Sequence, residues 1–233
     1  MDREDRWDIY IAERLKKEQD NLHQVNPLVE DFVSMLEPPG DKILLDLGCG
    51  LGRHMHYTAC QGFKTIGCDI SSRTLESAED LARGRGLNLE FVQCDFLDLP
   101  FNNSVFSGVM AIDSIHHDFL ENILGSLREV HRVMKTGALI CLNPLSVRDQ
   151  LLDLGRRMGD RLSLVHRVPH YFFTADEIRF LLERTYFRIV HMDVCSYTQN
   201  REGREVFREK FQIIARREEK PRGNFRYMPR PLL

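Results

Sequence analysis

No apolar run in this 233-residue chain approaches the roughly 20 residues that a membrane-spanning helix needs. The first residues, Met1-Asp2-Arg3-Glu4-Asp5-Arg6, are charged and lead into no apolar segment, so no secretory signal is expected. The six cysteines (49, 60, 68, 94, 141 and 195) form no C-x-x-C pair, which sets aside zinc-ribbon and thioredoxin-like chemistry. Several of them lie inside apolar strand patterns, as reduced core thiols of a cytoplasmic protein would. A net charge of −3 gives no global pull toward nucleic acid or an anionic membrane. Repeats and low-complexity tracts are also lacking. What is present is 42% hydrophobic and 29% charged residues, the balance of a globular chain with one sizeable core.

From Ile9 to Leu36, apolar residues recur at three- and four-residue intervals, which predicts helices broken at Asn26-Pro27. Glu37-Pro38-Pro39-Gly40-Asp41 ends that segment. Short apolar runs then alternate with helical stretches. Strands are expected at Ile43–Asp46, Thr65–Asp69, Leu89–Cys94, Val105–Ile112 and Ala138–Leu142. The helices between them are expected at His54–Gln61, Ser72–Arg83 and Phe119–Met134. Such alternation specifies a parallel sheet with helices on both faces. About thirty residues rich in Arg and Leu, Leu145 to Phe173, interrupt the pattern. Thr174-Ala175-Asp176-Glu177 then opens a helix as a capping box, and Phe187–Val190 and Phe211–Ala215 supply two closing strands, seven in all. From Arg216 the tail reads as irregular.

The chemistry concentrates at strand ends. Gly48, Gly50 and Gly52 follow the first strand with G-x-G-x-G spacing, where missing Cβ atoms let backbone approach a ligand. A dinucleotide fingerprint would need glycine at position 53, which is Arg53. Asp46, two residues before Gly48, suits a ligand with an α-amino group. Asp69 closes strand two, where a carboxylate can accept from ribose hydroxyls. Asp95 follows strand three, placed to accept from an adenine amine, with Phe96 as a flat apolar surface. Three acids at successive strand ends on one sheet edge are what a crevice-bound nucleoside requires.

These motifs resemble the class I S-adenosylmethionine-dependent methyltransferases, in particular the broad small-molecule group. The likeness runs through Leu44–Gly52 with Arg53-His54, Gly67-Cys68-Asp69-Ile70-Ser71, and Cys94-Asp95 with Leu99-Pro100-Phe101. It continues through Ile115-His116-His117, Leu127–Gly137 and Tyr171-Phe172-Phe173-Thr174, covering about Ile43 to Val190. It implies a Rossmann-like doubly wound, mostly parallel sheet and S-adenosyl-L-methionine as cofactor, leaving S-adenosyl-L-homocysteine. Asp46, Gly48, Cys49 and Gly50 are implied around the methionyl part, with Arg53 on its carboxylate. Asp69 and Ile70 are implied at the ribose, Asp95 and Phe96 at the adenine, and Ala111 and Ile112 along the sulfonium side. The sequence departs from the family pattern at Phe106-Ser107 and at Lys135-Thr136-Gly137-Ala138, away from those contacts.

The acceptor is harder to read, because displacement at a sulfonium needs positioning more than a fixed catalytic motif. His116 and His117 are the candidate bases, just beyond strand four. Asn143-Pro144 follows strand five and lacks the second proline and the aromatic of an amino-methylating loop, so it is set aside. His54 and His56 lack a third ligand, and no metal is expected. The expected divisions are an N-terminal helical cap (1–40), the cofactor-binding core (41–144) and a lid (145–173). A C-terminal helix with closing strands (174–217) and a tail (218–233) complete the chain. Tyr10, His166, His170 and Tyr171 are candidate substrate contacts, and Trp7 is weighed as a cover or a core residue. The lid's Leu151, Leu152, Leu154, Met158, Leu162 and Leu164 are expected to form an apolar face. Its Arg148, Arg156, Arg157, Arg161 and Arg167 are expected on a solvated helix face or against an anionic substrate. The leading expectation is methylation of a small or medium-sized metabolite by a monomer or homodimer off the membrane. A wobble-uridine-like tRNA methyltransferase is the alternative among enzymes, through Ile115-His116-His117, Tyr171-Phe172-Phe173 and a mixed-charge tail. A non-catalytic scaffold or activating subunit is the alternative of another class. Nicotinamide-dependent oxidoreduction is disfavoured by the glycine spacing.

Overall fold

In the computed structural model, which describes residues 4–9, 24–201 and 203–220, apolar side chains alternate along each central strand. β1 (Ile43–Leu47) sends Leu45 and Leu47 to one face and Leu44 to the other. β4 (Phe106–Ala111) and β5 (Met134–Leu142) do the same, with Val109, Ala111, Ile140 and Leu142 on the first face and Met110, Leu139 and Cys141 on the second. That period of two, apolar in both phases, marks strands covered on both sides. α1 (Pro27–Ser34) covers the second face through Leu28, Val29 and Phe32. Its start is fixed locally, since Asn26 Oδ1 accepts from Leu28 N at 3.0 Å and Pro27 holds the first helical position. α4 (Leu120–Val133) and α6 (Ala175–Arg184) cover the first face through Ile123, Leu127, Ile178 and Leu182.

β2 (Lys64–Asp69) and β3 (Glu90–Gln93) lie parallel beyond β1, and β4 and β5 lie parallel on its other side. β10 (Phe187–Arg201) and β11 (Arg204–Arg217) close the sheet, β11 antiparallel to β5. These seven strands run in the order β3-β2-β1-β4-β5-β11-β10. The order reverses between β1 and β4, so a crevice opens there beyond the strand C-termini. α2 (Arg53–Cys60) and α3 (Ser72–Gly84) follow β1 and β2 out of that edge.

Among the described residues the sheet has eleven strands rather than seven. The four extra ones are β6 (Leu145–Ser146), β7 (Arg156–Arg157), β8 (Leu162–Val165) and β9 (Val168–Phe173). They come from the Arg- and Leu-rich interruption and join the sheet where Leu145 pairs with Lys210. The expected solvated helix face is absent from this segment, whose sole helix is the four-residue α5 (Leu151–Leu154). Leu151 and Leu152 pack with Leu145, Val165 and Phe172, while Leu154 and Met158 are exposed, so no continuous apolar face forms. Arg148, Arg157 and Arg161 pair with Glu209, Asp153 and Glu177.

Three further expectations shift. β5 begins at Met134, because Met134 pairs with Phe106 before Gly137 turns the strand at a φ of 80°. β10 and β11 are 15 and 14 residues long, far beyond the short closing strands expected. Outer β10 carries exposed Val194 and Tyr197 among polar residues, so only its ladder to β11 marks it as a strand. The Thr174 cap forms, its Oγ1 accepting from Glu177 N, but the Glu177 carboxylate turns to Tyr171 and Arg161 and leaves the box half made. Residues 10–23 and 221–233, where Tyr10, most of the N-terminal helical pattern and the tail fall, lie outside the described residues. None of the described helices is long and apolar enough to cross a membrane.

Candidate functional site

The glycine turn is held from both ends. Gly48 N and Cys49 N both donate to the Cys68 carbonyl, at 2.8 and 3.0 Å, which locks the ends of β1 and β2 together. A Cβ on Gly48 would stand 2.6 Å from Ser114 Cβ and 3.2 Å from the Phe96 ring, at a φ of 75°. Gly50 differs: its φ is 53°, and a Cβ there would meet nothing within 4 Å. Gly48 is therefore required by packing, whereas Gly50 borders open space that a ligand can enter.

Asp69 faces this turn. Its Oδ2 accepts from Gly50 N and its Oδ1 from Ser71 N, both at 3.1 Å. Burial raises its pKa, and these backbone donors pull it partly back. Asp46 is buried behind the glycines, and its Oδ2 has no hydrogen-bond partner among the described residues. Burial lifts its pKa to about 7; Arg53 opposes the shift and Asp69 adds to it. A buried carboxylate oxygen without a donor calls for a cation or a proton. Asp95 makes a local turn, accepting from Leu97 N at 3.0 Å. Phe96 lies against Gly48, and Ile70 is half-buried with its carbonyl accepting from Gln93. Ala111 and Ile112 are buried at the end of β4.

A hub missed in the sequence sits just beyond Ile112. Asp113, at a φ of 55°, accepts from Lys210 Nζ at 2.5 Å and from Arg53 at 3.3 Å. It also exchanges two hydrogen bonds with Asn143, its N donating to Oδ1 at 2.6 Å and its Oδ1 accepting from Nδ2 at 2.9 Å. Burial alone would raise the Asp113 pKa, but Lys210 and Arg53 hold it well below the ordinary carboxylate range. Arg53 thus divides its charge between the glycine turn and this hub. Asn143, set aside as a motif, fixes the hub's backbone.

Three histidines gather next to it. The His116 and His117 rings are 4.2 Å apart, and His117 is 4.4 Å from His170 at right angles. Burial first and His170 second depress the His116 pKa well below its ordinary value, and its Nδ1 has no partner among the described residues. His170 Nδ1 lies 2.9 Å from the Val168 carbonyl, which can only accept, so Nδ1 carries the proton. In a neutral ring of this tautomer the basic lone pair is on Nε2. His54 is held neutral, its pKa lowered to about 3 by burial and by Arg53. Among the described residues no group of three or more His, Cys, Asp or Glu could hold a metal ion.

The N-terminal segment reaches this edge as well. Residues 4–9 are helical, and Glu4 Oε1 accepts from Ser72 Oγ at 2.8 Å and Gln93 Nε2 at 2.9 Å. Asp8 accepts from Ser71 Oγ at 2.5 Å and pairs with Arg73. Trp7 meets His117 edge to face at 5.1 Å. Two substrate candidates stand apart from this gathering. Tyr171 donates to Glu177 at 2.8 Å inside the core, its pKa raised to about 12 by burial and that carboxylate. His166 is exposed at the β8–β9 turn, at a φ of 49°.

Comparison with known proteins agrees with this geometry. A methyltransferase-domain family model matches residues 44–137. An O-methyltransferase of Pyrenophora dematioidea is 30% identical over 168 residues, 69% of this chain and 59% of that protein. A probable tRNA methyltransferase 9B of Mus musculus is 30% identical over 117 residues, 50% of this chain and 24% of that protein. This chain thus spans less than two thirds of these relatives' length. Among solved structures, an S-adenosylmethionine-dependent methyltransferase of Methanosarcina mazei superposes with a TM-score of 0.71 at 24% identity. That superposition covers 84% of this chain and 100% of the other. Residues 44–137 thus carry a methyltransferase domain, and the chain shares the fold of that solved S-adenosylmethionine-dependent methyltransferase.

Proposed function

We propose that this chain transfers the methyl group of S-adenosylmethionine to a nucleophile on a small or medium-sized metabolite. The observation that carries the donor side is the buried Asp46 Oδ2, left without a hydrogen-bond partner among the described residues, together with the open space at Gly50. An α-ammonium group is the cation that fits it. Asp46, Gly50 and Arg53 would hold the amino-acid part, Asp69 the ribose hydroxyls, and Asp95 the adenine edge. When bound, the cofactor supplies an electrophilic methyl on a sulfonium with a neutral leaving group.

The chain's own residues then position the acceptor, exclude water and accept a proton where the nucleophile needs to lose one. His170 is the best-built base of the three histidines, since the Val168 carbonyl fixes its tautomer. Burial disfavours the His116 cation, and the His116 carbonyl accepts from Tyr171 N. His170 thus joins the expected pair His116 and His117 as a candidate base. The segment 145–173 supports a lid role, because β9 binds the His116 loop directly, Tyr171 N donating to the His116 carbonyl at 2.8 Å.

Titration calorimetry with S-adenosylhomocysteine and with NAD tests the donor assignment. One S-adenosylhomocysteine per chain, weakened at least tenfold by Asp69→Ala, is expected; binding of NAD alone would overturn it. Methylation of tRNA is the second reading, favoured by the similarity to the tRNA methyltransferase relative. It requires a tRNA affinity that falls steeply with salt. The non-catalytic reading predicts no methyl transfer by a chain that binds the cofactor.

A further inference from the structure

A second cavity, of about 90 Å³, opens on the outer side of the histidine cluster. Its walls are Arg6 and Trp7 from the N-terminal segment, His117 and Phe119 from the segment before α4, and Val168 and Pro169 from β9. Three elements remote in sequence meet there. Phe119 stands at the start of α4 with 46% of its surface exposed, although it is a large apolar side chain. The apolar part of the wall is three rings with Val168 and Pro169, surfaces against which a flat ring packs, and Arg6 adds a cation beside them. The polar rim is ordered: Asp118 Oδ1 accepts from Phe119 N at 2.8 Å and from Asn122 Nδ2 at 2.9 Å. Asn122 keeps a second amide N–H and a carbonyl oxygen with which a hydroxyl can bond. An enclosed apolar cavity of about 150 Å³ holds a whole benzene ring, so a smaller, solvent-open one takes a single ring part-inserted and excludes a fused polycycle.

We propose that this cavity is a subsite for one aromatic ring of the acceptor, a phenol-like ring remote from the atom that is methylated. His117 is the only one of the three histidines that borders it, so a ring seated here keeps His117 between itself and the His116–His170 pair. Binding energy from such a remote ring would serve to align the reacting atom. The assignment rests on the small-molecule methyltransferase reading, and it adds the acceptor's chemical class.

Trp7 is the sole tryptophan of the chain, so indole emission reports this cavity directly. The probes are phenol and cyclohexanol, equal in size and charge and different in flatness. Phenol should change the emission saturably, with half-saturation at about 1 mM, as expected for so small a ligand. Cyclohexanol should be at least about tenfold weaker, Phe119→Ala should weaken phenol at least about fivefold, and Phe119→Tyr should restore it. Phe119 is exposed enough for both variants to fold, and Asn122→Ala serves as an independent second variant with a smaller loss. A non-saturating response to phenol, an equal response to cyclohexanol, or an unchanged titration in Phe119→Ala would each overturn the proposal. Binding of S-adenosylhomocysteine, measured on the same samples, is a separate result: its loss removes the methyltransferase reading while the phenol titration still decides the cavity.

Discussion

The Asp46 carboxylate should make cofactor affinity rise with pH through a window about three units above that of an ordinary surface aspartate. Burial holds its pKa at about 7 in the unliganded protein. An α-ammonium group at Oδ2 favours the ionised form, so binding must drive off whatever proton is there. At pH 8 the group is already about nine-tenths ionised, and at pH 6 only about one-tenth, so affinity for S-adenosylhomocysteine should fall about tenfold between them. That is about 1.4 kcal/mol. Binding at pH 6 should release close to one proton, readable by calorimetry in buffers of different ionisation enthalpy. The unliganded fold shows the converse. Between about pH 4 and 7 the native state holds a proton that the unfolded chain has lost, so this residue makes stability fall as pH rises through that window. Asp46→Asn should abolish both slopes and weaken binding at pH 8 by about 2 kcal/mol or more, the cost of an unpaired buried charge. Affinity unchanged from pH 6 to 8 in the parent protein, or full affinity in Asp46→Asn, would refute the reasoning.

Other expectations follow from the same geometry. Gly48→Ala forces a Cβ to 2.6 Å from Ser114 and should cost about 3 kcal/mol in denaturant unfolding. Gly50→Ala meets no atom and should cost only about 1 kcal/mol, yet reduce S-adenosylhomocysteine affinity more than tenfold; equal effects of the two would contradict the packing–ligand distinction. Arg208→Met strips the partner from Asp149, whose side chain is fully buried, and should cost about 3 kcal/mol by urea midpoint at unchanged slope. Tyr171→Phe should cost about 1 kcal/mol and leave S-adenosylhomocysteine affinity unchanged, because its hydroxyl serves Glu177. A drop in that affinity would return Tyr171 to the site.

The central sheet was legible because both phases of β1, β4 and β5 are apolar, and because each strand end is marked by glycine or an acid. Asp46, Asp69 and Gly50 were legible for the same reason: they lie within a few residues of a strand end, where local spacing carries the information. Asp113 lay in reach of that logic, as a fourth acid at the same edge. Lys210 did not, since its partner is 97 residues away and Arg208-Glu209-Lys210 reads as an ordinary charged run. The insertion misled because leucine and arginine suit helices, whereas its backbone is fixed by tertiary pairing. Asp149 accepts from Arg208 and from Glu209 N, and Ser146 donates to Glu209. Those contacts pin the segment to β11 as short strands. His170 read only as a polar contact, because the tautomer of its ring is set by the Val168 carbonyl.

The most direct test of the account is transfer of a labelled methyl from S-adenosylmethionine into cell extract separated into metabolite and RNA fractions. Enzyme-dependent label is expected in the small-molecule fraction, lost with Asp46→Asn and reduced with His170→Gln. Label confined to RNA, or no label from a chain that binds S-adenosylhomocysteine, would contradict it.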